Sequence, residues 1–196
     1  LKITFNPGTP IENPALRGMS LSIADGEFVT VIGSNGAGKS TFLNAISGDL
    51  AVDSGIICID NQDVTRLPAH KRAHLVARVF QDPMAGTCEA LSIEENMALA
   101  YKRGQKRSLG LALNKSTREF FRAKLSLLKL GLANRLTDRM GLLSGCQPHP
   151  LSLLMASLHP SNILLLDEHP APLDPNTSAF VLDLSFLLYT SYSADY

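Results

Sequence analysis

The chain has 196 residues, and its 18 basic side chains balance 18 acidic ones, so its net charge would attract neither nucleic acid nor anionic lipid. The length suits an α/β domain with an inserted subdomain, and no apolar run reaches the roughly 20 residues that span a bilayer. Cysteines at positions 58, 88 and 146 lack paired spacing, which indicates a reducing compartment rather than a disulfide or zinc scaffold.

The first quarter of the chain predicts strands followed by a helix. Apolar patterns predict strands over 1–5, 19–23 and 28–32. Because residue 1 is Leu and already lies in strand pattern, we expect this strand to begin upstream. A helix is predicted over 40–47 and is closed by Gly48, a residue type favoured after helix ends.

The rest of the chain alternates strand and helix patterns before a long helical region. Strands are predicted over 55–60 and 75–80, with the start of a short helix at 68–74 between them. A helical insert is predicted from 92 to about 132, with a cap-like start. The continuous apolar run 162–168 is typical of a strand buried on both faces, so we expect a mainly parallel central sheet.

A glycine-rich loop joins the predicted strand 28–32 to the predicted helix 40–47. Such a loop turns its backbone N–H groups onto phosphates, and the positive end of the helix dipole adds to them. Lys39 would reach the β and γ oxygens, and the Ser40 hydroxyl would ligate Mg²⁺. The predicted nucleoside triphosphate site consists of Gly33, Ser34, Asn35, Gly36, Ala37, Gly38, Lys39, Ser40 and Thr41.

Two carboxylates end the apolar run 162–168. Asp167 is the candidate Mg²⁺ ligand, usually through water, and Glu168 is the candidate general base that polarises the attacking water. Such a pair alone is more often a solvated loop end than a catalytic pair. The phosphate loop upstream reverses that preference, and Lys39 and Glu168 become candidate catalytic residues.

Three further segments resemble the ATP-binding cassette (ABC) family. Residues 143–147 (Leu-Ser-Gly-Cys-Gln) are similar to its signature, 79–83 to its glutamine loop and 172–174 to its D-loop. The resemblance implies an α/β fold of the ABC-type P-loop NTPases, with a mainly parallel central sheet, an antiparallel N-terminal β part and an inserted helical subdomain. The implied domains are an ATP-binding core at 1–83 and 146–184 and a helical subdomain at 84–145.

The same resemblance assigns roles to residues outside the phosphate loop. Gln81 would contact Mg²⁺ and the attacking water as a catalytic and metal-site residue. Phe5 would stack on the adenine, although a ring packed in an antiparallel strand is an equal alternative. Ser144 and Gly145 would cap the γ-phosphate of a second ATP-binding subunit, so the resemblance implies a head-to-tail dimer that encloses two ATP molecules.

The implied protein is the ATP-hydrolysing subunit of an ABC transporter. It would lie in the cytoplasm, peripheral on the inner face of the cell membrane, and would dock on membrane permease subunits. Separate chains for nucleotide binding and membrane spanning favour an importer, which would work indirectly with a solute-binding protein. The transported substrate would be chosen by other polypeptides.

A cluster of residues departs from the family pattern. No histidine after Asp174 can serve as the family's switch residue. In the family the strand that carries this histidine lies between those ending at Gly33 and Asp167, and the sequence stops at Tyr196, before that strand. We therefore expect unpaired strand edges, bare apolar surface and impaired hydrolysis. The residues that depart from the family pattern are Cys146, Pro148, His149, Pro150, Pro170 and Pro172. We expect Pro148 and Pro150 to be tolerated, because they stand in the first turn of the helix after the signature-like segment, where the N–H groups are unpaired anyway.

Several interpretations of these departures remain open. Residues 187–191 resemble the translated end of a transposase adapter used in sequencing libraries, so we interpret 185–196 as a non-native tail and the departures as read errors. The alternative is a nucleotide-binding pseudo-ATPase that does not hydrolyse ATP. For the function of the protein, a soluble ABC protein acting on DNA or ribosomes is a further hypothesis, which the neutral charge and the absence of a second cassette disfavour.

Overall fold

A computed structural model describes residues 1–105, 111–143 and 147–167. The chain divides into two compact units, Leu1–Val76 and Ala77–Tyr196. The first unit contains β1 (Lys2–Phe5), β2 (Asn13–Arg17), α1 (Lys39–Ser47), β3 (Cys58–Ile59), β4 (Gln62–Asp63) and α2 (Ala69–Arg72). Then follow β5 (Val76–Val79), α3 (Ile93–Tyr101), α4 (Lys115–Leu127), 3₁₀ turns at Leu132–Asn134 and Met140–Leu142, α5 (Pro148–Ala156) and β6 (Ile163–Leu166).

The first unit begins with an antiparallel ribbon of β1 and β2, which confirms the predicted first strand. Ile3 pairs with Leu16, but the next residue, Thr4, pairs with Pro14. Ala15 is therefore an extra residue on β2, a bulge that bends the strand locally. The side chains of Ile3 and Leu16 are buried and join the ribbon to the core of this unit.

The predicted strands over 19–23 and 28–32 are wrong for the described chain. Neither segment is in a β-ladder, and large apolar side chains along both are exposed, among them Phe28 at 69% and Ile32 at 89%. An apolar run is typical of a strand, but a strand forms only where a neighbouring backbone completes its hydrogen bonds. No described strand pairs with these segments.

Helix α1 confirms the predicted helix, and a buried arginine closes its C-terminal end. Gly48 ends the helix in the left-handed region, with φ of 85°. Arg72, 2% exposed, donates from Nη1 to the carbonyls of Ala45 and Ile46 at 2.7 and 2.8 Å. These carbonyls belong to the last turn, where no intrahelical partner exists and a positive charge is favoured.

The second unit is built on a parallel pair of strands and an apolar core. Strands β5 and β6 pair with each other, as the sequence predicts for the sheet centre. Helix α5 lies in the core, and its Leu151, Leu153 and Leu154 are fully buried. Its first residue is Pro148, where a missing N–H removes no helical hydrogen bond, so the expectation that prolines are tolerated here is confirmed.

The helical insert predicted over 92–132 is confirmed, but it is divided into separate helices. Ser92 and Asn114 each begin a helix with a reciprocal capping box, so both starts are specified by local side chains. Glu94 in α3 is buried and accepts two hydrogen bonds from Arg118 in α4, at 2.9 and 3.0 Å. This pair raises the pKa of Arg118 and ties the two helices together. In the described parts of the chain, no helix has the length and apolar character to cross a membrane.

We expect Arg72→Met to destabilise the first unit by about 3 kcal/mol, because buried carbonyls that a charged donor now satisfies would lose their partner. Burial lowers the pKa of Arg72, and the carboxylates of Asp49 and Asp63 partly offset this. Urea unfolding is the measurement. Arg66→Met, at an exposed position, should change stability by less than about 0.5 kcal/mol. Equal losses in the two variants would show that Arg72 does not hold α1.

Candidate functional site

The predicted phosphate loop leads directly into helix α1 of the first unit. Gly36 and Gly38 have φ of 82° and 89°, in the left-handed region that glycine adopts without penalty. Gly38 is the N-cap, and the N–H groups of the first helical turn have no intrahelical acceptor. No acidic residue stands in that turn, so the positive end of the helix dipole is not neutralised.

The bulge in β2 brings backbone against this helix start. A methyl group built at Gly38 would stand 2.7 Å from the Ala15 carbonyl oxygen and 3.2 Å from Leu16 Cδ2. Both distances are below normal contact for a side-chain carbon, so position 38 requires glycine for space as well as for φ. The ribbon therefore determines where the loop turns into the helix.

The side chain of Lys39 lies across the phosphate loop. Its Nζ donates to the carbonyl oxygens of Gly33 at 2.6 Å and Ser34 at 2.9 Å. Ser40 and Thr41 follow at the next helical positions, and the Ala37 amide donates to Ser34 O at 3.1 Å. These hydrogen bonds connect the loop residues to one another, and the Lys39 ammonium group lies against the loop backbone.

These donors fit a polyphosphate. The amides of the first helical turn and the Lys39 ammonium are all positive or hydrogen-bond donors, which suits an anion and not a cation. The Ser40 hydroxyl adds one hard oxygen of the kind that Mg²⁺ takes beside substrate phosphates. Within the described ranges no cluster of three His, Cys, Asp or Glu side chains could hold a metal ion without such phosphates.

Phe5 lies at the end of β1, opposite Asn13 in β2, and is 38% exposed. The same ribbon contacts Gly38 two residues further along β2, so it connects the ring's strand to the phosphate loop. A partly exposed ring can present a face to a base. The exposure is compatible with the stacking role predicted for Phe5, which remains a prediction.

Gln81 and Asp167 lie at one edge of the parallel pair in the second unit. β5 ends two residues before Gln81, β6 ends one residue before Asp167, and the Asp167 amide donates to Val79 O at 3.0 Å. Gln81 is exposed. The Asp167 carboxylate is engaged by Arg78, whose Nη2 lies 2.7 Å from Oδ2. The neighbouring Glu168 lies outside the described residues.

The loop 82–91 follows Gln81 and is held by a buried amide from α3. Asn96, 4% exposed, accepts from the Cys88 N–H at 2.8 Å and donates to the Cys88 carbonyl at 2.9 Å. One side chain thus satisfies both polar groups of a loop residue. This fixes the loop backbone relative to the helical insert.

The signature-like segment is described only at its ends. Ser144 and Gly145 lie outside the described residues, so their predicted role stays a prediction. Gln147 precedes α5 and donates to the Leu130 carbonyl at 3.4 Å. At the other end of α5, Arg103 donates to the carbonyls of Ala156 and His159, at 3.1 and 3.0 Å.

Sequence reasoning missed Arg78 and Asn96. Arg78 interrupts the apolar stretch from Val76 to Phe80, and a charge inside a buried strand needs a charged or polar partner. That interruption was the available signal. Nothing in the sequence marks Asn96, because an amide in an amphipathic helix is ordinarily assigned to the solvent side.

The comparison with known protein families decides the assignment. The family model described as ABC transporter matches residues 16–171, well over half of the chain. The chain belongs to the ABC transporter family. The ABC resemblance inferred from the phosphate loop, the signature-like segment and the glutamine loop is therefore confirmed, and with it the ABC-type ATPase class.

Curated ABC proteins of several kinds are similar to this chain. The tyrosine transport ATP-binding protein of Clostridioides difficile (strain R20291) is 44% identical, over 91% of this chain and 69% of its own length. The energy-coupling factor transporter ATP-binding protein EcfA2 of Clostridium acetobutylicum is 34% identical, over 89% and 59%. The macrolide export ATP-binding/permease protein MacB of Campylobacter jejuni is 33% identical, over 88% and 26%. The chain thus spans between about a quarter and about two thirds of these ABC proteins.

Solved ABC structures share the fold. The dimeric post-hydrolysis ATP-binding cassette MJ0796 bound to ADP and Pi matches with a TM-score of 0.80 at 25% identity, over 96% of this chain and 80% of that one. A second dimeric structure of MJ0796, a bacterial ABC transporter cassette, matches with a TM-score of 0.81 at 25% identity, over 97% and 81%. The predicted fold class is confirmed.

We expect Gly38→Ala to be more damaging to this ABC protein than Gly36→Ala. Both residues have positive φ, so each substitution should lose roughly 1 kcal/mol of stability from backbone strain. At Gly36 a methyl group meets nothing within 4 Å, whereas at Gly38 it meets the Ala15 carbonyl, which should add about 2 kcal/mol. Urea unfolding of both variants measures the difference. Equal destabilisation would mean that the contact between the ribbon and the loop is unimportant.

Proposed function

We propose that this chain is the ATP-binding subunit of an ABC transporter, which couples ATP binding and hydrolysis to solute transport through a separate membrane permease. The observation that carries this proposal is the start of α1, where Gly38 packs on the Ala15 carbonyl and Lys39 lies across the loop. The amides of the first helical turn and the Lys39 ammonium are donors suited to an anion. The 44% identity to a protein named for tyrosine transport supports a role in solute transport.

Each predicted site residue has a defined task in this proposal. Lys39 and the amides of the phosphate loop hold and orient the triphosphate, and Ser40 ligates Mg²⁺. Asp167 holds the metal through water, Gln81 orients the attacking water and Glu168 accepts its proton. Bound Mg²⁺ would supply charge neutralisation on the phosphate oxygens.

The partners are a second ATP-binding subunit and membrane permease subunits. We propose a head-to-tail dimer in which Ser144 and Gly145 face the nucleotide of the partner; the dimeric structures of MJ0796 support dimer formation. We also propose importer direction and a place on the inner face of the cell membrane. Two similar proteins are named as ATP-binding proteins of transporters, which supports a role in transport. A solute-binding protein would then act through the permease.

We expect Lys39→Ala to weaken the affinity for Mg-ATP at least about tenfold, because a charged hydrogen-bond donor to phosphate is lost. The affinity is measured with a fluorescent ATP analogue, and a circular dichroism spectrum checks the fold. Lys71→Ala, which removes an exposed ammonium from α2, should leave the affinity unchanged. Full retention of Mg-nucleotide affinity by the Lys39 variant would refute the proposed site.

A substitution at Phe5 tests adenine stacking separately from phosphate binding. If the ring stacks on the base, Phe5→Leu should weaken ATP affinity about tenfold and leave the affinity for inorganic tripolyphosphate unchanged. Phe120→Leu is the control, because Phe120 has a similar exposure of 36% in the second unit. Unchanged ATP affinity in Phe5→Leu would mean that the ring serves strand packing.

A second candidate function is ATP binding without hydrolysis. The residues that favour it are Cys146, which replaces a glycine of the family signature, and Pro148 and His149, which replace its arginine and glutamine. ATP affinity and turnover should be measured on this chain and on a version with Cys146→Gly, Pro148→Arg and His149→Gln. Binding without turnover in this chain, with turnover in the repaired version, identifies a pseudo-ATPase; normal turnover by the unrepaired chain excludes it.

A further inference from the structure

Arg78 is the charged residue of strand β5, between residues that are themselves buried. Val76 is 6% exposed, Ala77 1% and Val79 0%. The Arg78 side chain is 11% exposed and that of Asp167 is 21% exposed. At this burial the attraction between the two charges is screened by solvent much less than it is on a surface.

The ion pair joins β5 to the residue after β6. Arg78 Nη2 lies 2.7 Å from Asp167 Oδ2, a short distance that is typical of a charge-assisted hydrogen bond. The Asp167 amide also donates to Val79 O at 3.0 Å, so backbone and side chain together hold this residue against β5. The carboxylate is therefore oriented by the chain itself.

An aromatic ring also contacts the guanidinium. The Arg78 Cζ atom lies 4.6 Å from the centre of the ring of Phe80, the residue directly after β5. The ring in turn lies against Gly86, where a methyl group would stand 3.1 Å from Phe80 Cδ2. Stacking on an aromatic face holds the planar guanidinium in one orientation. The ammonium of a lysine is not planar and would not be oriented in this way.

Asp167 is the residue to which the proposed function assigns the metal, so any role of Arg78 in metal binding rests on that function. A carboxylate oxygen that accepts from a guanidinium has one cation beside it already. A second cation must share or displace the first, and an opposite charge nearby always lowers the tendency of a carboxylate to bind another positive charge. Because Asp167 would hold the metal through water, Arg78 and Mg²⁺ compete for the negative charge of this carboxylate rather than for one oxygen.

We propose that Arg78 is a positioning residue that holds the Asp167 carboxylate and lowers its affinity for Mg²⁺, so that metal binding exchanges one cation for another at this carboxylate. The guanidinium keeps Asp167 in place until Mg-nucleotide arrives. The guanidinium also stacks on the ring of Phe80, the residue before Gln81. A change at Arg78 would therefore alter a contact within the glutamine-loop-like segment 79–83.

The test is a titration of the full chain with Mg²⁺ at a fixed concentration of a fluorescent ATP analogue. Arg78→Met removes the charge and keeps the length of the side chain. It should lower the Mg²⁺ concentration for half-maximal enhancement of binding about tenfold, since the competing cation is gone. Affinity for the analogue in EDTA should not change. Arg78→Lys, which keeps a positive charge, should stay near the wild-type midpoint, and so should the control Arg122→Met, an exposed arginine in α4.

A second pair of variants shows whether the effect acts through Asp167. In an Asp167→Asn background, Arg78→Met should no longer shift the Mg²⁺ midpoint, because the shared carboxylate is absent. An unchanged or higher midpoint in Arg78→Met alone, or an undiminished shift in the Asn background, would overturn the proposal. If Arg78→Met fails to bind the analogue in EDTA, Arg78→Gln, which also removes the charge, decides instead: a lower midpoint supports the proposal and an unchanged one overturns it. Failure of the proposed function is distinguishable, since the wild-type chain would then bind no nucleotide with or without Mg²⁺.

Discussion

The close approach between Gly38 and the carbonyl of Ala15 is the contact on which the first unit's site depends. It can form because position 38 has no side chain and accepts a left-handed backbone, and because a bulge places Ala15 outside the regular pairing of β1 with β2. The N-terminal end of α1 is thereby placed by the ribbon, and Arg72 holds the opposite end of the same helix. A helix fixed at both ends presents its first-turn amides in a constant direction, which anion binding requires.

The second unit relies on buried or half-buried polar side chains at the places where loops leave its core. Arg78 holds Asp167, Asn96 holds Cys88, and Arg103 satisfies carbonyls at the end of α5. In each case a side-chain nitrogen donates to a carboxylate or carbonyl oxygen. The apolar core stabilises this unit. The contact of Arg78 with Asp167 orients a predicted site residue at the end of β6.

Much of the fold and part of the site could be predicted from the sequence, because the signals are local. The glycine spacing predicts the start of α1 and the apolar run predicts β6, and both elements form. The prediction that this strand is buried on both faces is wrong, because Leu165 is buried but Leu164 is 37% exposed. Residues 28–32 were mispredicted because strand formation depends on a partner elsewhere in the chain, which an apolar pattern does not reveal. The pairing of Arg78 with Asp167 joins residues 89 positions apart, a separation that composition and periodicity do not report. The predicted domain boundaries at 83, 145 and 184 remain predictions.

The two hydrogen bonds of Lys39 to its own loop have a thermodynamic consequence. A lysine side chain that moves freely gives up about 1.5 kcal/mol of rotational entropy when it is fixed by a ligand. Here Gly33 and Ser34 have already restricted those rotations. An arriving phosphate would exchange one set of oxygen partners for another around an ammonium group that is preorganised, so the ordering penalty of association is reduced before the encounter.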